Sequence, residues 1–220
     1  MELPSFSPCL NSIVFLAAIL ALLCSRVDTN SENCEASELG YACKKQLAPF
    51  YAVHWTLGGS PARADLLNGE VPFPDEGEAA FALAGSTTGW VGFGFTGRSG
   101  MMFPADVVLG FVKEDGESSV RAFKVENYGI REDNADESVN LKNVFVSEVD
   151  GKTIVAYTRS VREGGSIPVS LDAETPVTFA VGPFDGLNYH RRSRGGGSIL
   201  LAAALSDTTD IEVSTPSSEG

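Results

Sequence analysis

Between Tyr51 and Val181 the chain is a succession of short β-type runs, and in Tyr51–Leu57 and Val120–Val125 apolar and polar residues alternate with a period of two, the period of a strand with one buried face. In Tyr51–Leu57 the residues Tyr51, Val53, Trp55 and Leu57 share one face. Ala79–Ala84, Trp90–Thr96, Asp106–Lys113 and Val120–Val125 follow as strands, separated by Gly or charged turn residues. Val144–Val149 and Thr153–Thr158 flank Asp150-Gly151, a dipeptide that suits a two-residue hairpin because both positions tolerate positive φ. Val177–Val181 and Ile199–Leu205 complete a set of about nine strands at even spacing, which predicts one all-β antiparallel sandwich. Helix is scarce. Pro61–Leu67 can form a turn or two, with Pro61 at a first helical position, and the polar Arg131–Asn140 reads as a surface loop.

Gly92, Gly94 and Gly97 match the G-x-G-x-x-G spacing of a dinucleotide site. That motif needs a helix directly after the glycines. Here Gly100 and Pro104 stand where the helix would begin, and the β-branched run from Asp106 follows. The unit is strand, Gly-rich loop, strand, which argues against the nucleotide reading.

The ends of the chain differ from its middle. Residues 1–25 contain the apolar run Ile13–Leu23 followed by Cys24 and Ser25. This run is short for a bilayer span and fits the core of a secretory signal peptide, although Glu2 replaces the usual basic residue near the start. Removing the leader leaves Cys34 and Cys43, which would form one disulfide closing a small loop in the segment 26–48 of a secreted protein. A domain at 49–205 and an acidic, Ser/Thr-rich tail at 206–220 that reads as disordered complete the plan. No second long apolar segment follows the leader, so no transmembrane anchor is expected in the mature chain. The net charge of −13 argues against nucleic acid as a partner, because phosphate binding relies on clustered Lys and Arg.

Catalytic chemistry is poorly provided for. Two histidines, His54 and His190, and no nucleophile or zinc motif are present, so no catalytic residue is assigned. The clusters Glu114–Glu117 and Glu132-Asp133 read as solvated turn charge. His54 reads as structural, pointing away from the core. Met101 and Met102, in contrast, sit together in a glycine-flanked loop, and His190 lies in the loop before Arg191, Arg192 and Arg194. A thioether and an imidazole from two loops can meet around a haem iron. Phe93, Phe95, Phe103, Phe184 and Tyr189 would then supply apolar walls, and the arginines would face the propionates.

The stretch from Trp90 to Thr96, followed by Gly100-Met101-Met102-Phe103-Pro104-Ala105-Asp106-Val107-Val108-Leu109-Gly110, resembles the signature of the DOMON family. Tyr189-His190 with Arg194-Gly195 resembles that family's C-terminal loop, and the resemblance extends over roughly Pro49 to Leu205. It implies an extracellular, immunoglobulin-like β-sandwich that binds haem b or, in some members, sugars. It also implies that Met102 and His190 are the axial ligands of the haem iron, with Met101 the neighbouring alternative. The cofactor-binding set is then Met102, His190, Phe93, Phe95, Phe103, Tyr189 and Arg194. Gly97 and Gly100 would give the methionine loop its turn freedom.

The expected function is therefore a secreted electron-transfer module with haem b, not a catalyst, served by a redox partner protein or a small-molecule electron donor or acceptor. The acidic net charge would favour a basic docking patch on that partner and make association salt-sensitive. The alternative is an extracellular carbohydrate-binding module using Trp55, Trp90 or Tyr128 as stacking platforms. A third reading is an adhesion or scaffold element with neither property.

Overall fold

Ten strands form two antiparallel sheets in the computed structural model, which describes residues 34–59, 72–162 and 164–205. One sheet runs in the order β1 (Cys43–Ala48), β2 (Tyr51–Leu57), β3 (Glu78–Gly85), β8 (Lys152–Ser160), β7 (Lys142–Val149). The other runs β10 (Arg194–Ile199), β9 (Thr175–Val181), β4 (Val91–Thr96), β5 (Ala105–Val112), β6 (Ser118–Val125). The result is the antiparallel β-sandwich that the alternation predicts. The turn at Asp150-Gly151 joins β7 to β8 with φ of 52° and 74° at its two residues, as that dipeptide requires.

An aromatic layer fills the space between the sheets. Trp55, Phe81 and Tyr157 are opposite one another across β2, β3 and β8, so they project to the same side. Phe81 stacks on Tyr157 at 5.4 Å and meets Phe93 and Phe95 of the facing sheet, each at 6.1 Å. Tyr51 packs against Phe179 at 4.7 Å, and its hydroxyl donates to the carbonyl of Gly92 at 3.0 Å, tying the two sheets together. These residues are buried to 3% exposure or less, and burying such large rings dominates the stabilisation of a core this size.

Two strands lie where the alternation is silent. β1 is a polar edge strand, and β10 is Arg194-Gly195-Gly196-Gly197-Ser198-Ile199, whose glycines do not read as strand. Of the expected strand Ile199–Leu205, only Ile199 is strand, closing β10. The apolar residues that follow form a 3₁₀ turn at Leu201–Leu205, where the Leu201 carbonyl accepts the indole N–H of Trp55 at 3.2 Å. A second 3₁₀ turn, Glu132–Asn134, sits inside the expected surface loop. The expected leader at 1–25, the turn at Pro61–Leu67 and the tail at 206–220 lie outside the described residues.

His54 points away from the space between the sheets, as expected, yet it is fully buried. Residues 35–41 fold across the outer face of the first sheet, pinned by the Cys34–Cys43 disulfide and by paired backbone bonds between Glu35 and Lys44. Beneath them lie Ala80, Ala82 and Ala156 with Tyr41. Ser37 Oγ lies 2.8 Å from His54 Nδ1 and also accepts the N–H groups of Leu39 and Tyr41. With its lone pairs so engaged, the hydroxyl directs its proton to Nδ1. Burial pushes the His54 pKa down to about 4.

Candidate functional site

The outer face of the second sheet carries a cleft. Across β10, β9, β4 and β5 one register row is Arg194, Ala180, Gly92, Leu109, and the next is Gly196, Thr178, Gly94, Val107. Residues opposite in register share a face, so the centre of this face is paved with Gly, Ala and Thr, and larger residues rise at its margins. Trp90, Val107, Leu109, Phe123 and Val125 form an apolar cluster along one side, joined by Met102, Phe103, Ile130 and Leu187. Two adjoining cavities of about 330 Å³ and about 500 Å³ open here, within the usual range for sites that hold an organic ligand. Both are lined by Trp90, Met102, Tyr128, Ile130, His190 and Arg194.

The methionine wall is the β4–β5 loop. Met101 N–H donates to the Arg98 carbonyl at 3.2 Å, closing a four-residue turn in which Gly100 has φ of 76°. That position in a type II turn calls for glycine. Gly97, by contrast, is not left-handed, so Gly100 alone supplies the expected turn freedom. Thr96 Oγ1 donates to the Pro104 carbonyl at 3.0 Å and fixes the loop's base. A Cβ on Gly196 would lie 2.6 Å from Gly100 N and 2.7 Å from its Cα. The methionine turn therefore rests directly on the backbone of β10, and only glycine at 196 permits it. Met102 is half-buried and lines both cavities, whereas Met101 is 43% exposed and lines one.

The opposite wall is the loop Phe184–His190. Asn188 organises it: its Nδ2 donates to the carbonyls of Phe184, Asp185 and Gly186 at 2.9–3.2 Å. The indole N–H of Trp90 donates to Asn188 through both its backbone and side-chain oxygens at 3.1 Å. His190 is only 8% exposed. Its Nδ1 lies 3.0 Å from the Arg191 carbonyl, an acceptor only, so Nδ1 carries the proton and the lone pair remains on Nε2. Burial lowers the His190 pKa and the Arg194 charge adds to that, against the Arg191 carbonyl bond. The ring is thus held neutral, in the form that can ligate a metal.

Of the residues singled out in the sequence, the fold brings Met102, His190, Phe103 and Arg194 to one cleft. Phe103 stands edge-on to Tyr128 with centroids 4.7 Å apart. Tyr189 lies at the rim, 67% exposed, its ring 4.7 Å from that of His190. Phe184 is also exposed on the same loop. Phe93 and Phe95 are placed differently. Their rings point between the sheets, in edge-on contact at 5.6 Å, and the Arg159 guanidinium covers Phe95. Phe95 does not line the cleft, and Phe93 borders it from a strand whose outward residues are Gly92 and Gly94. The period of two in β4 fixes this, since odd positions face the core. The same parity is the sign in the sequence that Trp90, Gly92, Thr178 and Ala180 belong to the site; Thr178 and Ala180 carry no other.

A family model for the DOMON domain matches residues 73–182. The chain belongs to the DOMON domain family. The matched segment contains the methionine wall and ends before His190 and Arg194. Among solved structures, the DOMON chain is similar to the cytochrome b domain of pyranose dehydrogenase from Coprinopsis cinerea, at 14% identity and a TM-score of 0.47 over 70% of this chain and 78% of that one. It is also similar to the cytochrome domain of Myriococcum thermophilum cellobiose dehydrogenase, at 12% identity and a TM-score of 0.48 over 74% of this chain and 82% of that one. Within the DOMON signature, Asp106 is a structural anchor. It is buried and accepts the N–H groups of Ser166 and Ile167, both at 2.6 Å, and the Ser166 hydroxyl at 2.9 Å. No helix among the described residues is long and apolar enough to cross a membrane.

Proposed function

We propose that the cleft binds haem b between Met102 and His190 and that the protein is a secreted electron-transfer module of the DOMON family. The observation that carries this reading is the donor set. A thioether and a neutral imidazole with a free Nε2 lone pair reach one cleft from opposite loops, above a floor of Gly92, Ala180, Thr178 and Gly196 that leaves room for a broad, flat ligand. Family membership supports it, since the resemblance in the methionine loop is to the haem-binding members.

A bound haem would supply one-electron chemistry at its iron. The rest is the work of this chain. Met102 through its thioether and His190 through Nε2 would hold the group, and the chemistry supplied there would be electron carriage and not catalysis. The Arg191 carbonyl keeps the His190 tautomer, the outer-shell bond that orients an imidazole ligand and raises its basicity. Trp90, Val107, Ile130 and Phe103 exclude water from the apolar side, and Arg194 offers a guanidinium at the mouth to a carboxylate. Secretion fits the leader expected at 1–25, and the Cys34–Cys43 disulfide suits an oxidising compartment.

A sugar ligand would find a narrower set of platforms than the sequence suggests. Trp55 is enclosed in the core and Trp90 is 4% exposed, leaving Tyr128, 80% exposed, at the cleft rim. Titration of hemin into the purified chain, followed by quenching of tryptophan fluorescence, tests the proposal. Saturation at one equivalent, weakened in both Met102→Ala and His190→Ala, is expected. Absence of uptake together with binding of a glycan would give the cleft to carbohydrate.

A further inference from the structure

The mouth of the cleft differs in character from the rest of the surface. Seven large apolar side chains are exposed among the described residues, and four of them, Met101, Tyr128, Phe184 and Tyr189, belong to the cleft and its loops. Arg98 precedes the methionine turn and Arg191, Arg192 and Arg194 follow His190, all four exposed. None of these four forms an ion pair with another described residue; Arg131, Lys152, Arg159 and Arg162 share that property but stand apart from one another, whereas Lys44, Lys113, Arg121, Lys124 and Lys142 each pair with a glutamate. Asp185 is the one carboxylate between Gly182 and Gly195. A chain of net charge −13 has thus gathered unneutralised guanidinium groups and exposed aromatic rings around one opening.

We infer that this face is a docking surface for an acidic protein. Arg, Tyr, Phe and Met are the side chains enriched at the centres of protein interfaces. Guanidinium groups without an ion-pair partner among the described residues retain their donors for carboxylates of another molecule. The negative charge of the remaining surface does not cancel this, because charges more than about 8 Å apart in solution are largely screened at physiological ionic strength. The partner's complementary patch is therefore acidic, opposite in sign to what the net charge alone suggests. The inference rests on the electron-transfer proposal only for what the partner would exchange; the docking itself depends on the surface.

The test is amide NMR of the full ¹⁵N-labelled chain titrated with polyglutamate, polylysine and polygalacturonate. Polyglutamate is expected to move the signals of residues 98–102 and 184–194, and high salt to reverse the shifts. The double variant Arg98→Gln, Arg192→Gln should weaken the response about tenfold while the other signals stay in place. Polyglutamate that moves no signals in these two loops overturns the inference. Tighter binding of polygalacturonate to the same signals overturns it in favour of an anionic glycan, and concentration-dependent broadening of them without any additive overturns it in favour of self-association. Hemin titration of the same sample reads the cofactor proposal separately, so polyglutamate binding without hemin uptake would retain the docking face and remove the cytochrome.

Discussion

The indole of Trp90 stands edge-on to the imidazole of His190, ring centroids 6.4 Å apart and planes at 73°. Trp90 is itself held by Asn188, two residues before the histidine. One wall of the cleft is thus a closed circuit: the strand fixes the indole, the indole fixes the loop, and the loop presents His190.

Breaking that circuit at Asn188 should loosen the histidine wall. Asn188→Ala removes the bonds to three loop carbonyls and strands the Trp90 N–H over one remaining acceptor. The expected cost is about 2 kcal/mol in urea unfolding, with weaker hemin binding. Trp90→Phe keeps an aromatic ring beside His190 and should cost less in hemin affinity than Asn188→Ala. Equal hemin affinity in Asn188→Ala and wild type would show that the loop holds its shape without the side chain.

The methionine wall has its own weak point in Gly196. Gly196→Ala places a methyl group against the backbone of Gly100, which has no rotamer with which to yield. The turn carrying Met101 and Met102 must shift, at a cost of roughly 1–3 kcal/mol, and hemin affinity should fall. Gly197→Ala is the control. Its Cβ would meet only the Leu47 side chain at 3.2 Å, so it should fold and bind nearly normally.

Asp106 separates stability from ligand binding. Asp106→Asn keeps the shape but gives up the charge that two backbone N–H groups and a hydroxyl address. A loss of about 2 kcal/mol is expected by chemical denaturation, with hemin affinity unchanged in the folded fraction, because Asp106 lines neither cavity.

His54 predicts a pH dependence. Burial holds its pKa at about 4 in the folded chain, against 6.5 for an ordinary imidazole. The unfolded chain therefore binds the proton first, and stability falls as pH drops from about 6.5 toward 4. The contribution is fully present above that window and amounts to about 2 kcal/mol lost between pH 7 and pH 5. His54→Gln should flatten the dependence in denaturation curves measured at the two pH values.

Most of the sandwich was legible because burial on one face imposes alternation, and Tyr51–Leu57 or Val120–Val125 carry it openly. β10 was not, because its three glycines answer to tertiary demands: Gly196 admits the methionine turn and Gly195 faces the ring of Phe179. Such approaches leave no periodic trace. The two candidate ligands were legible as rare residue types in glycine-rich loops. Phe93 and Phe95 suit the cleft by their chemistry, but strand parity turns both rings to the core, so Phe93 only borders the cleft and Phe95 does not reach it. The cover over His54 was hidden for another reason. Segment 35–41 has no alternation of its own and is positioned by a disulfide and a backbone pairing with β1.

A haem held by Met102 and His190 would show in the absorption spectrum of the protein produced with a haem supply, oxidised and then reduced with dithionite. Sharp low-spin reduced bands are expected, lost in Met102→Ala and in His190→Ala and retained in Met101→Ala. A colourless protein that also takes up no added hemin would contradict the proposal.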